Sequence, residues 1–302
     1  MRVSIRSGIT TVFNALILLI FIYLLAKPNL AIIPITESIY LCVKVIVPAL
    51  FIYMVLARLV ISMPFTTVLC NKLDRYGVEA EVFLLGILCG FPVGAKSAVY
   101  LYNSGTISKK RAEYLCAFTN NASLSFLLGY IGTSLFSDIK IGIRLAIFQF
   151  ISSLITAIIL RLVFMKKEDF QNVKSVNMVP QKRPSVSDAV TDTAYTMLSV
   201  CAFIITFSVI GELAVAVLKP EGFIKVLIKG FFEFSSGIAS AASLEPDVAF
   251  FTISIAVGFS GLCVIMQVIS VIRGVLSPKM YVLGRFLSMA VFGLLSIFFG
   301  MS

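Results

Sequence analysis

GILCGFPVGAKSAVYLYNSGTISKKRAEYLCAFTNNASLSFLLGYIG, residues 86–132, decides the fold. It opens in apolar sequence and breaks at Gly90-Phe91-Pro92-Val93-Gly94. Lys96 follows at once, apolar sequence resumes, and a basic loop leads to a second apolar stretch opened by Thr119-Asn120-Asn121. Helix breakers, a cation and amides therefore fall at what should be membrane depth. Lipid offers no hydrogen bonds to a broken backbone, so such a break survives only inside protein or beside a water-filled cavity. A pair of interrupted segments, one in each half of a membrane protein, points to a transport site.

The rest of the chain fits that setting. Of its 302 residues, 59% are hydrophobic and 13% charged, against about 25% charged in a soluble domain. Mean hydropathy is +1.02. This is the composition of a polytopic membrane protein. The net charge of +10 belongs in cytoplasmic loops and does not call for nucleic acid. The chain has no histidine, its six cysteines are scattered without a CxxC pair, and no carboxylate pair stands out. Zinc sites, histidine bases and intramembrane enzyme chemistry are disfavoured on that ground, and no metal or cofactor is expected. GFPVGAK lacks the GxxxxGK[ST] spacing of a nucleotide-binding loop.

Outward from the central stretch, Arg2 and Arg6 precede an apolar run over 11–26. Leu24-Leu25-Ala26 before Lys27-Pro28 is a poor cleavage site, so the run reads as a retained first span. Further spans are expected at 40–62, 120–136, 141–165, 193–218, 248–272 and 281–299, with an interfacial helix over 111–118. Segments 82–102 and 223–244 are apolar but broken, the second at Glu233-Phe234-Ser235-Ser236-Gly237. The stretch 166–192 is hydrophilic, with Pro180 and Pro184, and reads as a flexible linker.

The chain thus divides into an N-terminal span and loop (1–39), a first repeat (40–165, hairpin 82–102), a cytoplasmic linker (166–192) and a second repeat (193–302, hairpin 223–244). With the N-terminus cytoplasmic and each broken segment a re-entrant hairpin, Arg58, Lys109, Lys110, Arg111, Lys166 and Arg273 fall inside, and few basic residues fall outside. The halves are then inverted. The expected fold is an all-α polytopic membrane protein built of inverted repeats with two opposed re-entrant helical hairpins, the architecture of secondary transporters.

Lys96 sits in the first turn of a returning half-helix, where free amides and the positive dipole end attract anions. Lys96 and the amides of Gly94, Ala95, Lys96 and Ser97, behind the Phe91-Pro92 tip, would cradle a carboxylate or phosphate. Lys96 could instead snorkel to the interface or pair with Glu233. Glu233, Ser235, Ser236 and Gly237 form the second tip, able to close a gate or help hold Na⁺ or a proton as coupling ion. Thr119, Asn120 and Asn121 could replace lost backbone bonds, cap a helix or orient a polar solute. Ser260 and Gln267 are their second-half counterparts, equally readable as helix packing.

At Gly90-Phe91-Pro92 with Gly94-Ala95-Lys96, at Phe118-Thr119-Asn120-Asn121 and at Glu233 with Gly237, the chain resembles the YlbJ sporulation integral membrane proteins. These belong to the wider nucleoside-recognition, or Gate-domain, group. The group is similar to concentrative nucleoside transporters, with two re-entrant hairpins and two unwound helices. The resemblance implies a multi-pass protein of the cell membrane or the membrane around the forespore. It also implies alternating-access transport of dipicolinate, a small aromatic dicarboxylate. A nucleoside or another small solute is the alternative substrate, and a non-transporting scaffold or sporulation assembly factor is the alternative role. The expected partners are an anionic small molecule and the bilayer, with a homo-oligomer left open.

Overall fold

The computed structural model describes residues 2–61, 77–170 and 185–300, which form helices, turns and short connections. Lys72, Asp74, Arg75, Lys174, Pro180, Lys182, Arg183, Pro184 and Cys70 lie outside the described residues.

Helix α1 (Arg2–Ala26) turns at Lys27-Pro28 into α2 (Asn29–Leu41), which passes through one π-helical turn (Cys42–Ile46) into α3 (Val47–Ile61). The span expected at 40–62 is therefore the second half of a longer rod. Pro48 has no N–H for the carbonyl four residues back, and the widened turn sits just ahead of it. Such bulges are how helices absorb a missing bond.

Both broken segments fold back on themselves. In the first, α4 (Gly77–Cys89) and α5 (Val93–Asn103) are separated by Gly90, at φ +77°, and by a cis Phe91–Pro92 bond. Gly86 on α4 and Gly94 on α5 press against one carbonyl, that of Thr119. A Cβ on Gly86 would overlap it, and one on Gly94 would come within 2.7 Å. Two residues eight apart can share one neighbour this closely only if the helices are folded together. In the second, α10 (Gly222–Phe232) and α11 (Phe234–Ala241) meet at Glu233. A Cβ on Gly237 would overlap the backbone of Gly230. In a continuous helix those residues would be about 10 Å apart.

Between the hairpins run α6 (Lys109–Thr119), an irregular stretch at Asn120–Ser123, α7 (Phe126–Leu135, wound as a π-helix) and α8 (Ile139–Phe164). The expected interfacial helix at 111–118 is instead the most enclosed helix among the described residues. Ala112, Leu115 and Ala117 are fully buried, and Arg111 is 1% exposed. Its guanidinium donates to both carboxylate oxygens of Glu79, Nε to Oε1 at 2.7 Å and an Nη to Oε2 at 2.8 Å. That bidentate pair removes the charge that made the segment look like surface.

Helix α9 (Val186–Leu218) begins earlier than expected, so 186–192 is helix rather than linker. Ser185 and Asp188 start it with a reciprocal capping box. The chain ends with α12 (Pro246–Phe259), α13 (Gly261–Ile272) and α14 (Lys279–Phe298). Ser260, at φ 72°, breaks α12 from α13. The order hairpin, broken helix, long helix thus occurs twice.

Five helical stretches among the described residues are long and apolar enough to cross a bilayer: Asn29–Leu56, Ile139–Phe164, Val186–Leu218, Pro246–Ile272 and Lys279–Phe298. Large apolar side chains such as Leu162, Leu198, Ile297 and Phe298 point outward, as lipid contact requires. This is an all-α polytopic membrane protein. In lipid, apolar burial gives little drive for helices to associate, so close packing of small residues matters more. Gly86, Gly94, Gly230 and Gly237 supply it at the hairpins.

Helix α9 runs past both hairpins and serves as a ruler. Lys96 of the first hairpin reaches Thr196. Phe232 of the second packs on Gly211, and Lys229 pairs with Glu212 at 2.9 Å. Thr196 and Glu212 are about 24 Å apart along the axis at 1.5 Å per residue. The hairpins therefore approach from opposite ends of α9. Their tips meet between, where the Phe91 and Phe234 rings stand edge to face at 6.0 Å.

Candidate functional site

Each returning half-helix needs its first amides satisfied, and the two hairpins solve this differently. At α5 the solution comes from elsewhere in the chain. The Asn120 side-chain carbonyl accepts from the Ala95 amide at 3.0 Å, while its NH₂ group donates to the Cys116 carbonyl at 2.8 Å. Asn121 donates to the Phe118 carbonyl and accepts from the Ser153 hydroxyl. Gln149 of α8 makes paired bonds to the Ala122 amide and carbonyl. Thr119 donates to the Leu115 carbonyl. The irregular stretch is thus held by side chains replacing lost backbone partners, as a break inside a membrane protein demands.

At α11 the solution is internal. Glu233 is fully buried, and its carboxylate accepts from the Ser235 amide at 3.0 Å and the Ser236 amide at 2.6 Å. A carboxylate at a helix N-terminus also suits the dipole.

These bonds correct the expected anion cradle. The Ala95 amide is taken by Asn120, and the Lys96 amide donates to the Pro92 carbonyl. Of that set, the Lys96 side chain is what faces open space. Lys96 is not paired with Glu233; its ammonium donates to the Thr196 hydroxyl at 2.6 Å. Nor is it buried: it opens into a cavity of about 260 Å³.

That cavity is lined by Arg58 of α3, Pro92 and Lys96 of the first hairpin, a strip of α9, and Gln267 and Ser270 of α13. Arg58 pairs with Asp192 at 2.8 Å. Thr196 donates to the Asp192 carbonyl while accepting from Lys96, so the polar wall is linked. Two cations and one carboxylate leave a net positive charge facing the opening.

A second cavity, about 30 Å³, lies at the tips, with Phe91, Phe126, Phe234, Ser235 and Gln267 among its walls. It has room for no more than a water or two. Phe126 packs on Phe234 at 5.3 Å, so three aromatic rings pack together at the tips.

Of the sequence-predicted residues, Pro92, Lys96 and Gln267 line the larger cavity, and Phe91, Ser235 and Gln267 the smaller. Thr119, Asn120, Asn121, Gly94, Ala95, Ser97, Ser236, Gly237 and Ser260 line neither. Gly237 is where α11 crosses α10, and Ser260 is the α12–α13 break. Sequence reasoning missed Arg58 and Asp192 as partners, and Tyr195, Thr196 and Ser199 as lining. A signal was available: Asp192, Tyr195, Thr196 and Ser199 make a polar stripe at helical spacing on an apolar helix.

The chain is similar to the sporulation integral membrane protein YlbJ of Bacillus subtilis (strain 168). The two are 28% identical over an alignment that covers 76% of this chain and 67% of that protein. No family model and no solved structure matches the chain. The similarity and the fold together support a YlbJ-type integral membrane protein.

Proposed function

We propose that this YlbJ-type membrane protein is a secondary transporter for a small organic anion, acting in sporulation. The observation that carries the reading is a cationic cavity that opens on the Lys96 side, beside packed rings of the two hairpin tips. The rings would then block the way beyond it. Alternating access needs such a state and its mirror image. In this reading the two halves are inverted repeats with a cytoplasmic N-terminus, and the cavity faces the cytoplasm.

Lys96 and Arg58 bind the anionic groups, and Gln267, reaching both cavities, meets the solute as it passes the tips. A dicarboxylate such as dipicolinate suits two cations set in one wall. The coupling ion would act at the second tip, where the buried Glu233 carboxylate and the Ser235 hydroxyl offer oxygens to Na⁺ or a proton. The role in sporulation rests on the similarity to the sporulation integral membrane protein of Bacillus subtilis.

The test is uptake of labelled dipicolinate into proteoliposomes, with uridine as the uncharged comparison. Wild type should accumulate the dicarboxylate, and Lys96→Ala should fall at least about tenfold, the worth of one charge-assisted contact. Uridine uptake indifferent to Lys96→Ala would favour a nucleoside carrier. No uptake of either solute would favour a scaffold.

A further inference from the structure

Arg285, on α14, is 2% exposed. It makes no ion pair with any described acid. One of its terminal nitrogens donates to the Ser260 hydroxyl at 3.3 Å, and its Nε has no partner. The Tyr281 hydroxyl, one turn earlier on the same face, is also buried without a partner, and the guanidinium carbon lies 5.8 Å from that ring. Arg111 shows the contrast: it is as deeply buried, but Glu79 neutralises it. An unpaired buried guanidinium costs several kcal/mol, so a counter-charge is expected.

The surroundings supply more donors. Ser260 breaks α12 from α13, and its hydroxyl donates to the Val257 carbonyl, so it does not cap α13. The positive end of α13 therefore lies beside the guanidinium. The backbone that carries Arg285 is closely packed, because Gly284 presses on the Ala117 carbonyl, where a Cβ would overlap it. Arg285 lines neither cavity, so a bulky solute does not reach it from them.

We infer that Arg285, Tyr281 and the start of α13 form a buried site for a small monovalent anion of halide size, which locks the second broken helix to α14. The site is separate from the Lys96 cavity and does not depend on the transport reading. Its test reads stability: thermal unfolding of the full chain in nanodiscs as sodium chloride replaces sodium gluconate at constant sodium. Wild type should gain roughly 2–5 °C and then saturate. Tyr281→Phe should raise the half-saturating chloride several-fold, and Arg285→Met should abolish the gain. If Arg285→Met does not fold, Tyr281→Phe carries the test alone. Equal melting in chloride and gluconate, or a gain that survives both substitutions, would overturn the site and leave the guanidinium to the last carbonyls of α12.

Discussion

The two hairpins have one shape and different anchors. The first is capped by a residue 25 positions away, and that residue belongs to a break tied by Gln149 and Ser153 to α8. The second is capped by its own Glu233. The first hairpin is therefore fastened through that break to α8, while the second carries its cap with it. A self-capped hairpin can shift as a body without exposing backbone amides. A cross-capped one moves only with the break that caps it. In the proposed transport cycle, opening toward the far side would begin at the second hairpin.

The comparison breaks hardest at its crossing points. Gly237→Val should abolish folding, because the new side chain would occupy the Gly230 backbone; a loss of the monodisperse peak in detergent chromatography would show it. Glu233→Ala comes next. It strands two amides in a buried tip and should cost about 2–4 kcal/mol, with Glu233→Gln recovering part because one oxygen can still accept. Asn120→Ala should cost about 1–3 kcal/mol. The sharper readout is hydrogen exchange: protection should fall across Val93–Asn103 and stay unchanged across Phe234–Ala241. Equal loss in both would remove the distinction between the anchors.

The smallest effect lies outside the spans. Burial pushes the Asp169 carboxyl up, but hydrogen bonds from the Lys110 ammonium and the Lys166 amide outweigh it, so it sits below the usual carboxylate range. A depressed carboxyl stabilises the fold above the unfolded value, about 3.9, and loses that contribution as pH falls through the folded one. Asp169→Asn should remove this acid-side dependence. The change at neutral pH should stay under about 1 kcal/mol, because the pair is partly exposed. Denaturant midpoints at pH 7 and at about pH 2.5, below the unfolded value, would measure it.

Much of the fold was legible because lipid punishes breaks. Gly90 and Pro92 could not sit in a straight helix, and the break expected over 233–237 falls at Glu233; both proved to be the turns of folded-back helix pairs. What the sequence concealed were partners. Arg111 looked interfacial because Glu79 lies 32 residues away, and only folding joins them. Arg58 and Asp192 meet because α3 packs on α9, a pairing that no local pattern announces. The amides of α5 looked free because Asn120 reaches them across an intervening loop. The donors of a site can be read locally, but whether they are already spent is a tertiary fact.

The account rests on two tips meeting from opposite sides, and one measurement addresses that directly. Phe91→Cys and Phe234→Cys, combined in a chain whose own cysteines are replaced, should cross-link rapidly with a short bifunctional thiol reagent, since the native rings stand 6.0 Å apart. The link should form within single chains in nanodiscs. Reaction of each cysteine alone, with no link between them, would contradict the meeting of the tips.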